Sequence, residues 1–96
     1  DNVMLMGEDV SSIGDYSELF GMQLFPNPAK GLLQFNSEMK VDQVKVFSAN
    51  GALVHDEILS RDQYQLDLRH LDGGMYLVRF INQKEGIYTT ERLIIQ

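Results

Sequence analysis

The chain contains no cysteine and only two prolines among its 96 residues. Without cysteine there are no disulfides and no thiolate chemistry, although an extracellular address stays open. No apolar run approaches the ~20 residues a bilayer-spanning helix needs. The start also lacks the basic-then-apolar pattern of a secretory leader. Asp1 is not a natural initiator, so the sequence is expected to be a processed or excised piece of something longer. Positive charge is scarce: 8 Lys and Arg stand against 14 Asp and Glu, for a net charge of −6. Such a surface repels phosphate backbones and anionic headgroups, which argues against nucleic acid as a partner. The ordinary consequence of this acidity is solubility.

Apolar residues make up 44% of the chain, too many for disorder. The length suits one domain with one modest core and no deep substrate cavity. Residues 1–20 read as a linker, with Gly7, Gly14, Ser11 and Ser12 among scattered acids and no sustained period. That segment allows a short strand over Val3–Met6 and a short helix over Asp15–Phe20. Residues 21–96 read as the domain. "GLLQFN" (31–36), "QVKVFS" (43–48), "ALVHDEIL" (52–59), "YQLDL" (64–68), "GMYLVRFIN" (74–82) and "IYTTERLIIQ" (87–96) are strand-like runs separated by turn signals. Asn50-Gly51 is the strongest hairpin signal, since both residues tolerate positive φ. "GMYLVRFIN" is apolar on both faces, as expected of a central strand. This spacing predicts an all-β, small antiparallel sandwich of about seven strands. Val46, Leu53, Leu68, Tyr76, Val78, Phe80 and Leu93 are the expected core, subject to a one-residue register slip.

Candidate chemistry is sparse. His55 and Glu57 share a strand face, but two ligands fall short of the three or four converging groups of a zinc site, so a surface histidine is the better reading. Glu8, Asp9, Asp15 and Glu18 lack the spacing of a calcium loop. No serine sits in a Gly-x-Ser-x-Gly elbow. The expectation is no catalysis, no metal and no cofactor. Glycine and proline say more. Pro26 and Pro28 fix their own φ and bias Phe25 and Asn27 toward extended shapes, so "FPNP" is a stiff gateway before the first strand, released by Gly31. Gly73-Gly74 allows a sharp turn into the strand that carries Tyr76.

Four pieces in order then resemble the type A C-terminal sorting domain of the type IX secretion system of Bacteroidetes. They are "LFPNPAKGLLQF" (24–35), "VKVFSANGALV" (44–54), "LDLRHLDGGMYLVRF" (66–80) and "ERLIIQ" (91–96). The resemblance spans Leu24–Gln96 and departs from the family at Gln96, where a basic residue is commoner, and at the double glycine. It implies an Ig-like sandwich that acts as a secretion signal for a larger attached passenger. Its partners would be the type IX translocon and sortase-like components, with the label often removed afterwards. Its route would run through the periplasm to the cell surface or outside. It points to Pro26, Asn27, Pro28, Gly31, Asn50, Gly51, Gly74, Tyr76, Arg92, Leu93, Ile94, Ile95 and Gln96 as motif positions. The rival reading is a fibronectin-like or carbohydrate-binding module of a surface protein, which would need an exposed aromatic platform. Tyr64, Tyr76 and Tyr88 fall in strands, and Tyr76 is expected in the core. Long edge strands also admit a homodimer, formed by edge pairing or by exchange of the N-terminal segment.

Overall fold

The computed structural model describes residues 17–27 and 29–96. The expected strand at Val3–Met6, the linker up to residue 16 and Pro28 lie outside the described residues. The first described element is α1 (Ser17–Phe20), a single turn whose Phe20 is fully buried with the core. The Phe20 carbonyl accepts from the Glu38 backbone N–H (2.7 Å) and from Ser37 Oγ (3.1 Å), which ties this turn to the loop after the second strand.

Seven strands follow: β1 (Gln23–Phe25), β2 (Leu32–Asn36), β3 (Gln43–Ser48), β4 (Leu53–Ile58), β5 (Gln65–Asp67), β6 (Gly74–Asn82) and β7 (Ile87–Ile95). They form an antiparallel three-stranded sheet in the order β1-β2-β5 and an antiparallel four-stranded sheet in the order β4-β3-β6-β7. The two sheets enclose one core. Leu33, Phe35 and Leu66 come from the first sheet, and Val44, Val46, Val78, Phe80, Leu93 and Ile95 from the second. The Phe35 and Phe80 rings meet across the sandwich with centroids 5.1 Å apart and tilted planes, the arrangement aromatic quadrupoles prefer. Each fully buried aliphatic or phenyl side chain contributes about 1.5–3 kcal/mol. The buried Tyr76, near the start of β6, donates its hydroxyl to the Asp72 carbonyl (2.6 Å). A tyrosine anchored this way at a corner is an Ig-like device.

The expected sandwich is present, with no helix among the described residues after residue 22. Six of the seven expected core residues are buried. Leu53 is the exception at 50% exposed. The reason is a β-bulge: Val46 pairs with His55 but Phe47 pairs with Leu53, so β4 carries one extra residue. Leu53 and Val54 are consequently both exposed. β6 is indeed central, yet Met75 and Leu77 are exposed on its outer face, which is half-buried only from Arg79 onward. The first strand also precedes the prolines instead of following them.

Candidate functional site

Pro26 and Asn27 sit where the chain changes sheets. Through β1 it pairs with β2, Leu24 opposite Phe35 and Phe25 opposite Gln34. Pro26 offers no N–H to extend that ladder. After the cis Phe25–Pro26 peptide the chain has crossed to the edge of β7. The Asn27 side chain acts there as a substitute peptide group: its Nδ2 donates to the Arg92 carbonyl and its Oδ1 accepts from the Ile94 N–H, each at 3.3 Å. Ala29 continues in main-chain form. Its N–H donates to the Ile94 carbonyl and its carbonyl accepts from the Gln96 N–H, both at 2.8 Å, giving a parallel bridge with Ile95. Ala29 is 1% exposed, so the crossing suits a small side chain.

The far end of this segment is held by Gly31, whose carbonyl accepts from the Leu68 N–H (2.6 Å). Its φ is +105°, and a Cβ there would lie 2.8 Å from the Arg69 Cα. β7 itself alternates. Leu93 and Ile95 point into the core, while Arg92, Ile94 and Gln96 face outward. Gly73 and Gly74 bring the start of β6 beside this strand, Gly74 opposite Ile95, and a Cβ on Gly73 would come within 3.3 Å of the Ile95 carbonyl. Residues 26, 27 and 29–31, with segments 73–76 and 92–96, separate in sequence, therefore form one end of the sandwich. Asn50-Gly51 does not join them. It closes the β3–β4 hairpin with Gly51 at φ +90°.

His55 is half-buried on the edge strand β4, its side chain 18% exposed. Strand alternation puts His55 and Glu57 opposite Val46 and Val44, facing inward. His55 Nε2 contacts Glu57 Oε1 at 2.9 Å, and its Nδ1 lies 3.3 Å from His70 Nε2. Gln63 Nε2 donates to Glu57 Oε2 at 2.7 Å. The Gln63 amide, then His55, holds the Glu57 carboxyl below its ordinary range. Asp67 accepts a bidentate pair from Arg69 (2.9 and 2.8 Å), which lowers its pKa to about 2. Among the described residues, no three or more His, Cys, Asp and Glu side chains are grouped to hold a metal ion. On the opposite sheet a shallow groove is lined by Phe25, Gln34, Asn36, Tyr64 and Gln65, with Phe25 and Tyr64 both about half exposed.

The roles of Phe20, Ala29 and Gln63 had no signal in the sequence. Ala29 looks like an ordinary loop alanine, and its place is visible only once β7 lies beside it. Residues 23–96 match the family model described as secretion system C-terminal sorting domain. No curated protein matches the chain.

Proposed function

The chain belongs to the family of secretion system C-terminal sorting domains, and on that footing we propose that it is the folded address of a larger passenger, read by its surface and not by any catalysis. Membership implies export by the type IX route toward the cell surface or the outside, in contact with that machinery and joined to a passenger. The finer reading is that the domain travels through the periplasm and engages the translocon with the end of the sandwich that gathers Asn27, Ala29, Gly31, 73–76 and 92–96. A sortase-like peptidase then separates it from the passenger within residues 1–20. The observation carrying this reading is that the family match covers all of those residues, which the fold brings to one place. Arg92, Ile94 and Gln96, outward and at that end, are the proposed recognition side chains. The test is a fusion of residues 1–96 to a periplasmic reporter in a type IX-competent host. Reporter outside the cell supports the assignment; a folded fusion that stays in the periplasm refutes it.

One observation favours a second reading. The groove between Phe25 and Tyr64 sets two exposed rings beside the amides of Gln34, Asn36 and Gln65. Rings stack on sugar faces and amides bond hydroxyls, which suits a carbohydrate-binding sandwich. Glycan binding that is lost in Tyr64→Ala, with no export of the fusion, would establish that reading in place of the first.

A further inference from the structure

β7 ends the four-stranded sheet, and two pieces from the front of the domain lie on it. α1 packs against it, and Asn27 and Ala29 pair with residues 92–96. Along a strand, the N–H and C=O of one residue point to the same side, and the side alternates. The Ile94 N–H and C=O and the Gln96 N–H are taken by Asn27 and Ala29, so the even-numbered residues of β7 face the free edge. The resident pairing is short. It comprises two main-chain bonds and two 3.3 Å bonds from one exposed amide side chain. Extended peptide binds a sheet edge through this same set of main-chain groups.

Resting on the sorting-signal reading, we propose that the edge of β7 at 92–96 is a strand-acceptor site, that Asn27 and Ala29 are its resident occupants, and that an extended segment of the secretion machinery displaces them. The incoming strand meets Ile94 and Met75, paired and half exposed on the outer face, with an apolar side chain, and Arg92 with an acidic or polar one. Displacement is local to the last strand: the chain before Asn27 stays held by the pairing of β1 with β2 and by the buried Phe20.

Two experiments decide this. The first is amide hydrogen exchange by NMR on the isolated chain. Asn27→Ala should speed exchange at the Ile94 and Gln96 amides by about 5- to 10-fold, the equivalent of one weak hydrogen bond. The Leu93 and Ile95 amides, which face β6, should not change. Equal protection in variant and parent overturns the latch. The second uses the absence of cysteine. Ala29→Cys with Ile95→Cys places two thiols on directly bridged residues, where adjacent strands are about 4.8 Å apart and disulfides span Cα separations of about 4.4–6.8 Å. The oxidised pair, with a thermal midpoint no lower than its reduced form, should hold a fused reporter in the periplasm. The reduced form and Ala29→Cys alone should export it. Export of the oxidised fusion at the parent's level overturns the proposal. If the parent fusion itself is not exported, the sorting reading and the partner named here both fall, while the exchange experiment still decides the latch. Dimerisation of Asn27→Ala in sedimentation would make a second copy the occupant and overturn the commitment to a secretion partner.

Discussion

Gly31→Ala tests whether the segment crossing between sheets is held by sterics or merely tethered. Two separable effects act at Gly31. Its φ of +105° is hostile to an L side chain, and a Cβ would meet the Arg69 Cα and Cγ at 2.8 Å and the Arg69 N at 3.1 Å. The first effect is worth about 1–2 kcal/mol; the second, crowding into backbone that cannot yield cheaply, adds about 1–3 kcal/mol. Arg69 cannot simply withdraw, because the neighbouring Leu68 is fully buried and its N–H bonds the Gly31 carbonyl. Gly51 supplies the control. Its φ is +90°, but a Cβ there has nothing within 4 Å. Gly51→Ala should therefore lose only about 1–2 kcal/mol, and Gly31→Ala about 2–5 kcal/mol. In a domain of this size each kcal/mol shifts the thermal midpoint by about 4–8 °C. Urea unfolding followed by far-UV circular dichroism at 25 °C reads both variants directly. Equal losses, or a larger loss at Gly51, would refute the claim that contact with Arg69 fixes this segment.

Ile95→Ala should cost about 2–5 kcal/mol, because Ile95 is 4% exposed in the core. Ile94→Ala should cost no more than about 1 kcal/mol, since its side chain faces outward; the two urea midpoints check the difference. Glu57 gives a pH dependence. The fold holds its carboxyl below the ordinary value of 4.5, so as pH falls the unfolded chain takes up the proton first. Its contribution is complete above the ordinary glutamate range and is lost as pH falls through the depressed value. The midpoint gap between the parent and Glu57→Gln should therefore be widest near neutral pH and narrow below pH 4.5; a gap that widens in acid contradicts this. Arg92→Ala should leave the thermal midpoint within a few degrees of the parent, because the side chain is exposed, while lowering export of a fused reporter. A loss of export only in variants that also lose stability would make the last strand structural alone.

The strands were legible because period two and turn chemistry are local. "QVKVFS" became β3 over the same residues, and Asn50-Gly51 closed its hairpin. The bulge that exposes Leu53 was not legible, since it depends on how β4 registers against Val46 and Phe47. β1 was missed for a similar reason. Three residues before a proline carry no period, and only pairing with Phe35 and its neighbours makes "QLF" a strand. The site was legible as separate motifs but not as a place. Nothing in "FPNPA" says that the Asn27 amide will meet Arg92 and Ile94, 65 and 67 residues on. The His55–Glu57 pair was visible as a shared face, whereas Gln63 and His70 reach it from loops.

The outer strands also explain how a small sandwich can offer an edge for recognition without offering every edge. Unpaired edges invite uncontrolled association, and inward-pointing charge is one natural deterrent. β4 carries His55 and Glu57 on its inward face, and a bulge that breaks its register. β7 carries Thr89 and Glu91 opposite Phe80 and Val78, with Thr89 Oγ1 donating to Glu91 Oε2 at 3.1 Å. A second copy sliding along either strand would have to register against these polar positions. Beyond Glu91 the protection changes in kind. Leu93 and Ile95 are wholly apolar inward, and there the edge is covered by Asn27 and Ala29 instead of being guarded by charge. A cover can be displaced by a partner, whereas an inward charge can be removed only by mutation. The portion of β7 that is covered is therefore the portion suited to regulated strand exchange. Strand alternation turns the proposed recognition side chains Arg92, Ile94 and Gln96 outward there while Leu93 and Ile95 keep the sandwich closed.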